Sequence, residues 1–158
     1  MGQLYNIKLK NLLPEHYTSI CITHDIGKVI MMEHLPERYD ASVAFMNNNP
    51  DADFYQSELE LGFGGATHAE IGAYFLDLWG LPLGSIEASL YHHDLKDYRE
   101  SSHDILEICH TADLLSNYIV AHPNAMDEEL PSFLEEYTEK ERVYDLIGRL
   151  KEKCEHLK

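Results

Sequence analysis

The sequence predicts an all-α fold, and three observations carry that prediction. Apolar residues recur three and four positions apart over most of the chain. The alternation of β-branched and polar residues that marks a strand is nearly absent. Turn signals, Asn47-Asn48-Asn49-Pro50 and Gly62-Phe63-Gly64-Gly65, break the chain into helix-sized segments.

In chain order, the first helix is expected from Pro14 to about Thr23. Pro14 suits a first turn, and Glu15 favours the positive end of the helix dipole. Ile26-Gly27-Lys28 interrupts the pattern, and a short second helix follows over residues 29–33. Pro36 opens a third, carrying Tyr39, Val43, Phe45 and Met46 towards the core. The clearest helix covers residues 67–79. Thr67 caps it, Glu70 completes a capping box, and Ile71, Phe75, Leu76 and Trp79 form an apolar stripe read as core. Gly80-Leu81-Pro82 ends it. A shorter helix covers 85–93, with Ile86, Leu90 and Tyr91 apolar. Ser102 opens a long helix through Ile105, Ile108, Ala112, Leu115 and Ile119, which stops before Pro123. Two charged, amphipathic helices are expected over 132–137 and 140–156. The apolar face of the second, Val143, Leu146, Ile147 and Leu150, packs on the domain or on a partner.

At 158 residues the chain has the length of one domain, read as a motif-bearing core over 13–120 and the amphipathic helices over 131–158. Hydrophobic residues make up 44% and charged residues 25%, which excludes disorder over most of the length. Twelve basic residues against 28 acidic ones leave a net charge of −16. That charge repels nucleic-acid phosphates and anionic membranes, so neither a duplex nor a membrane is an expected partner. A nucleotide remains admissible, because a metal ion reverses the local field at one pocket. Cys21, Cys109 and Cys154 form no CxxC pair, and their odd number suits a reducing compartment. No apolar run reaches the roughly 18 residues of a spanning helix, and no signal core follows Met1. A cytoplasmic protein is expected.

Ten histidines are the unusual count, and the chemistry depends on whether they converge. The residues that bear it are His24-Asp25, His68, His92-His93 and Asp113. Imidazole and carboxylate are the standard ligands of divalent ions such as zinc, iron and manganese. An adjacent His-Asp pair reaches one site only where the helix breaks, and Gly27 is read as supplying that backbone freedom. Successive histidines on a helix point about 100° apart, so His92 and His93 more easily serve two metals, or a metal and a substrate, than one ion. Asp113 sits mid-helix among apolar neighbours, where a buried carboxylate is costly without a partner. Each motif also has an ordinary reading. His24-Asp25 can be a polar helix end, His68 a helix-start residue, His92-His93 a solvated terminus and Lys28 a solvated lysine.

His24-Asp25-Ile26-Gly27-Lys28, followed by His68 in Thr67-His68-Ala69-Glu70-Ile71-Gly72, resembles the HD superfamily of metal-dependent phosphohydrolases. Leu78-Trp79-Gly80-Leu81-Pro82 with Ile86-Glu87-Ala88 and Tyr91-His92-His93 resembles its HDOD group. The likeness runs from about Pro14 to Ile119. It implies an HD-like helical bundle and a centre for one or two divalent metals, with Fe, Mn, Zn and Mg not distinguished. It implies that His24, Asp25 and Asp113 hold one metal and that His68, His92 and His93 are associated with a second, Asp25 bridging. Asp25 and Lys28 then take catalytic roles, Lys28 as a phosphate contact. HD domains of this kind hydrolyse phosphodiesters with a metal-activated water, and HDOD domains mostly act in signalling. The implied partners are a small phosphorylated ligand of the nucleotide or phosphodiester class, or a signalling protein.

One departure is visible. The superfamily's first ligand, a His or Glu on an earlier helix, has no counterpart among the 23 residues before His24. His16 lies two turns back on what reads as the same helix, about 12 Å away along its axis. A compact form with shortened N-terminal helices is expected, with Glu58, Glu60 or a second copy in a homodimer completing the centre. The competing reading is a catalytically silent HDOD module for protein interaction.

Overall fold

A computed structural model describes residues 14–95, 103–121 and 148–149 of the chain. Among these the elements are helices α1 (Pro14–Thr23), α2 (Ile26–His34), α3 (Pro36–Asn48), α4 (Phe54–Glu60), α5 (His68–Leu78), α6 (Leu83–Tyr91) and α7 (His103–Ala121), with no strand. The all-α expectation holds. The described residues fall in two compact units: Leu13–His110 is one, and 111–121 with 148–149 lie in the other. The helix expected over 132–137, Cys154, and all of the helix expected over 140–156 except residues 148–149, which are helical, lie outside the described residues.

Within the first unit, α5 packs on α6 and on α2; α1 also packs on α6, and α3 on both α2 and α4. Thr67 caps α5 as its spacing requires. Its side chain accepts the Glu70 N–H while Glu70 Oε2 accepts the Thr67 N–H at 2.9 Å. Gly80 ends the helix at φ +70°, a left-handed turn that a residue with a Cβ takes up only at a cost. Asp53 and Gln56 build the same box at the start of α4, a helix the apolar spacing did not reveal.

The break in the first helical run falls one step earlier than expected. His24 and Asp25 form the turn, and Ile26, Gly27 and Lys28 are the first residues of α2. Gly27 is not in a left-handed conformation. It matters for a different reason: a Cβ there would run into the backbone of His68, and one on Gly72 would meet Ser89. The two glycines let α2 cross α5 with backbones nearly in contact, and Ser89 Oγ donates to the Ala69 carbonyl at 3.3 Å on the other flank.

That crossing also decides which side chains are core. The buried stripe of α5 is His68, Ala69, Gly72, Ala73 and Leu76, whereas Trp79 is 55% exposed and Phe75 half-buried. Small residues line the close contact, and the large aromatics are displaced to its margin, where Phe75 and Trp79 touch each other. On α6 the buried residues are Ser85, Glu87, Ala88 and Ser89, with Ile86, Leu90 and Tyr91 half-buried. On α3 only Ser42 is fully buried, and Tyr39, Val43, Phe45 and Met46 are half-buried. Met31, Leu76, Leu106 and Cys109 supply fully buried apolar side chains of this unit, beside the buried His68, His92 and Glu58.

Candidate metal centre

The turn between α1 and α2 presents His24 and Asp25. Asp25 occupies the N-cap position of α2, yet its side chain makes no capping hydrogen bond. The carboxylate is directed elsewhere. Its Oδ2 accepts a hydrogen bond from Lys28 Nζ at 2.8 Å, one turn along α2. Its Oδ1 lies 3.3 Å from His68 Nε2 and 3.4 Å from His92 Nε2. Burial works against the charge on Asp25, but the imidazoles of His68 and His92, then Lys28 and His24, outweigh it and hold the carboxyl well below its ordinary range.

The crossing of α2 and α5 brings in His68, at the first position of α5 and fully buried. Its Nδ1 donates to Glu58 Oε2 at 2.7 Å, since a carboxylate can only accept. Burial disfavours protonation of this ring, but Asp25 and Glu58 outweigh burial and raise its pKa above the ordinary imidazole value. Its Nε2 sits 2.9 Å from His93 Nε2.

The end of α6 adds the tandem histidines. The helix stops at Tyr91, two residues short of the expected end, so His92 is its C-cap and His93 lies beyond. His92 is fully buried, and its Nδ1 bonds to the Ser89 and Ala88 carbonyls at 2.9 and 3.0 Å. A carbonyl only accepts, so the hydrogen is on Nδ1 and Nε2 keeps its lone pair. Burial, aided by the His24 and His68 imidazoles, outweighs the upward pull of Asp25 and leaves the His92 pKa below its usual value. His93 is lowered as well, by burial and then by His92 and His68. The ring of His93 lies parallel to Tyr55, centroids 4.4 Å apart, and that of His24 stands edge-on to His92 at 4.9 Å. His24 Nδ1 donates to the Cys21 carbonyl at 2.8 Å, which turns its Nε2 towards Asp25, 3.5 Å from Oδ2.

Asp25, His68, His92 and His93 therefore each offer a ligand atom within 4.8 Å of the others. The donor set suits a divalent ion. The decisive pair is His92 Nε2 and Asp25 Oδ1, both buried, both without a hydrogen-bond partner and 3.4 Å apart. A lone pair facing an anionic oxygen is unfavourable unless a proton on the imidazole or a metal ion lies between them. Metal is what these atoms fit.

A family model for the HDOD domain matches residues 6–95. The chain belongs to the HDOD family. No curated protein and no solved structure gives a match. The HDOD segment takes in His24, Asp25, Lys28, His68, His92 and His93 and stops short of Asp113. Asp113 lies on α7 in the second unit, buried, its Oδ2 accepting from Asn117 Nδ2 at 3.2 Å. His110 bonds through Nδ1 to the His92 carbonyl. Glu60 is exposed at the end of α4, and both oxygens of Glu58 are taken by His68, so neither adds a ligand atom to the cluster. Sequence reasoning missed Tyr55 altogether, because nothing in its spacing points to His93. Among the described residues no helix is long and apolar enough to cross a membrane.

Proposed function

We propose that this HDOD domain binds divalent metal at the cluster and hydrolyses a phosphoester of the nucleotide or phosphodiester class in a signalling role. The observation that carries the reading is the facing pair His92 Nε2 and Asp25 Oδ1, two buried acceptors with no donor between them. Asp25, His68, His92 and His93 would hold the ion. A bound divalent ion supplies Lewis acidity there, acidifying water and offsetting phosphoryl charge.

The chain's own residues do the rest. Lys28 keeps Asp25 Oδ2 occupied, so Oδ1 remains directed at the histidines. The Lys28 ammonium is partly exposed and has N–H donors left for a phosphoryl oxygen. In a chain of net charge −16, such a local cation is where an anionic substrate can settle. His24 and His92 have their tautomers set by backbone carbonyls, which keeps both Nε2 atoms turned inward.

The test is elemental analysis of protein purified without chelator, followed by hydrolysis of bis(p-nitrophenyl) phosphate with manganese or iron. At least one metal per chain, and turnover lost in Asp25→Asn, is the expected result. Less than one equivalent with no rescue by added metal refutes the reading. A second reading, a silent interaction module, is favoured by the exposed apolar side chains Tyr74, Leu78, Trp79 and Leu83 around the α5–α6 turn. It predicts that Asp25→Ala and His92→Ala fold normally and keep partner binding.

A further inference from the structure

Glu58 has an expensive position for a carboxylate. It is fully buried on α4, and both of its oxygens are committed to one residue. Oε1 accepts the backbone N–H of His68 at 2.6 Å, and Oε2 accepts the His68 Nδ1–H at 2.7 Å. The first bond serves the start of α5. That helix start already has its cap, because Thr67 and Glu70 close a capping box on it. The second bond has no role in the helix. Its effect is on the imidazole: with the hydrogen held on Nδ1, His68 presents Nε2 to Asp25 and His93.

We propose that Glu58 is a positioning residue of the metal centre, an outer carboxylate that fixes the tautomer and ring orientation of His68 so that Nε2 is its ligating atom. The proposal rests on the metal-binding reading of the same site. The short helix α4 braces the cluster twice, since Tyr55, one turn before Glu58, lies flat against His93. Phe54 closes the outer side, its ring edge-on to His68 at 5.4 Å. Glu58 therefore works from behind the histidine. A glutamine in its place has one acceptor and one NH2 group where two N–H groups need acceptors. Either the backbone N–H or the ring N–H loses its partner, and an NH2 turned to Nδ1 drives the hydrogen to Nε2, blocking the ligating atom.

Cobalt(II) titrations followed by visible absorption, on the full-length wild type, Glu58→Gln and Thr67→Ala, test this. Thr67→Ala weakens the same helix start without touching the imidazole. Glu58→Gln is expected to lose 10- to 100-fold in cobalt affinity, the range usual for loss of an outer partner of a ligating histidine. Thr67→Ala is expected to lose thermal stability and keep wild-type affinity. Wild-type affinity in folded Glu58→Gln overturns the proposal, and so does an equal loss in Thr67→Ala, which would reduce Glu58 to a helix-start role. Should Glu58→Gln not fold, a long-range 1H–15N spectrum of the zinc-loaded wild type decides, with His68 expected to be protonated at Nδ1. Protonation at Nε2 overturns the proposal. A wild type that takes up no cobalt overturns the metal reading itself, and this proposal with it.

Discussion

Gly27→Ala places one methyl group at the crossing of α2 and α5. An ideal Cβ there lies 2.7 Å from the His68 carbonyl carbon and 2.9 Å from Gly72 N, where ordinary contact begins near 3.4 Å. The His68 carbonyl oxygen lies closer still, so the helices must part by about an ångström or more. All of these obstacles are backbone atoms of α5, so no side chain can swing aside. Overpacking of this kind costs about 1–3 kcal/mol. The displacement also falls on the metal centre, because Gly27 is two residues past Asp25 and His68 is the residue struck. Metal sites tolerate errors of only about 0.2 Å in ligand position, so cobalt affinity should drop by roughly tenfold or more. Gly64→Ala is the control. A Cβ at Gly64 meets nothing within 4 Å, and its stability should stay within about 0.5 kcal/mol of wild type. Guanidinium denaturation gives the first quantity and cobalt titration the second. A Gly27→Ala protein as stable as Gly64→Ala refutes the packing argument. One that is destabilised yet binds cobalt normally refutes the link from helix crossing to site geometry.

Four further outcomes are expected. Thr67→Ala should cost about 1 kcal/mol in equilibrium unfolding, because the Glu70 N–H loses its acceptor. Trp79→Ser should change stability by less than about 0.5 kcal/mol, in keeping with an exposed ring; a loss of several kcal/mol would return Trp79 to the core. His92→Leu should abolish metal uptake and cost about 1–3 kcal/mol of metal-free stability, because the Ala88 and Ser89 carbonyls lose the Nδ1–H, a loss eased by removing a buried acceptor that has no donor. The pH profile of the chelator-treated protein should have a maximum. His92 and His93 have folded pKa values below the unfolded value of about 6.5, so the unfolded chain takes up more protons and stability falls as pH drops through that value. His68 is raised, so its contribution is complete below about 6.5 and is lost as pH rises through its folded value. Unfolding curves between pH 5 and 9 that rise without a maximum would contradict the His68 assignment.

Much of the helical framework is legible because its signals are local. Pro14, Pro36, the Thr67–Glu70 box and Gly80 act within one turn of where they stand, and the helices begin and end there. The helix α4 was legible in principle through Asp53 and Gln56, but its seven residues are too few for an apolar period to show. The apolar stripe of α5 misled for a physical reason. Hydrophobicity favours Phe75 and Trp79 as core, whereas the close approach at Gly27 and Gly72 leaves room only for Ala69, Ala73 and Leu76 beside them.

The residue types that can hold a divalent ion, and their order His24-Asp25, His68, His92-His93, are properties of the sequence, because ligand chemistry belongs to each side chain alone. Which atoms of those side chains face one another is a property of the tertiary structure. The tautomers of His24 and His92 depend on carbonyls of their own helices, and that of His68 on a carboxylate ten residues away on another helix. The meeting of Asp25 with His68 and His92 depends on two backbones crossing where neither has a Cβ. Distances of this kind arise from packing between segments remote in the chain, and no local pattern of residues encodes them.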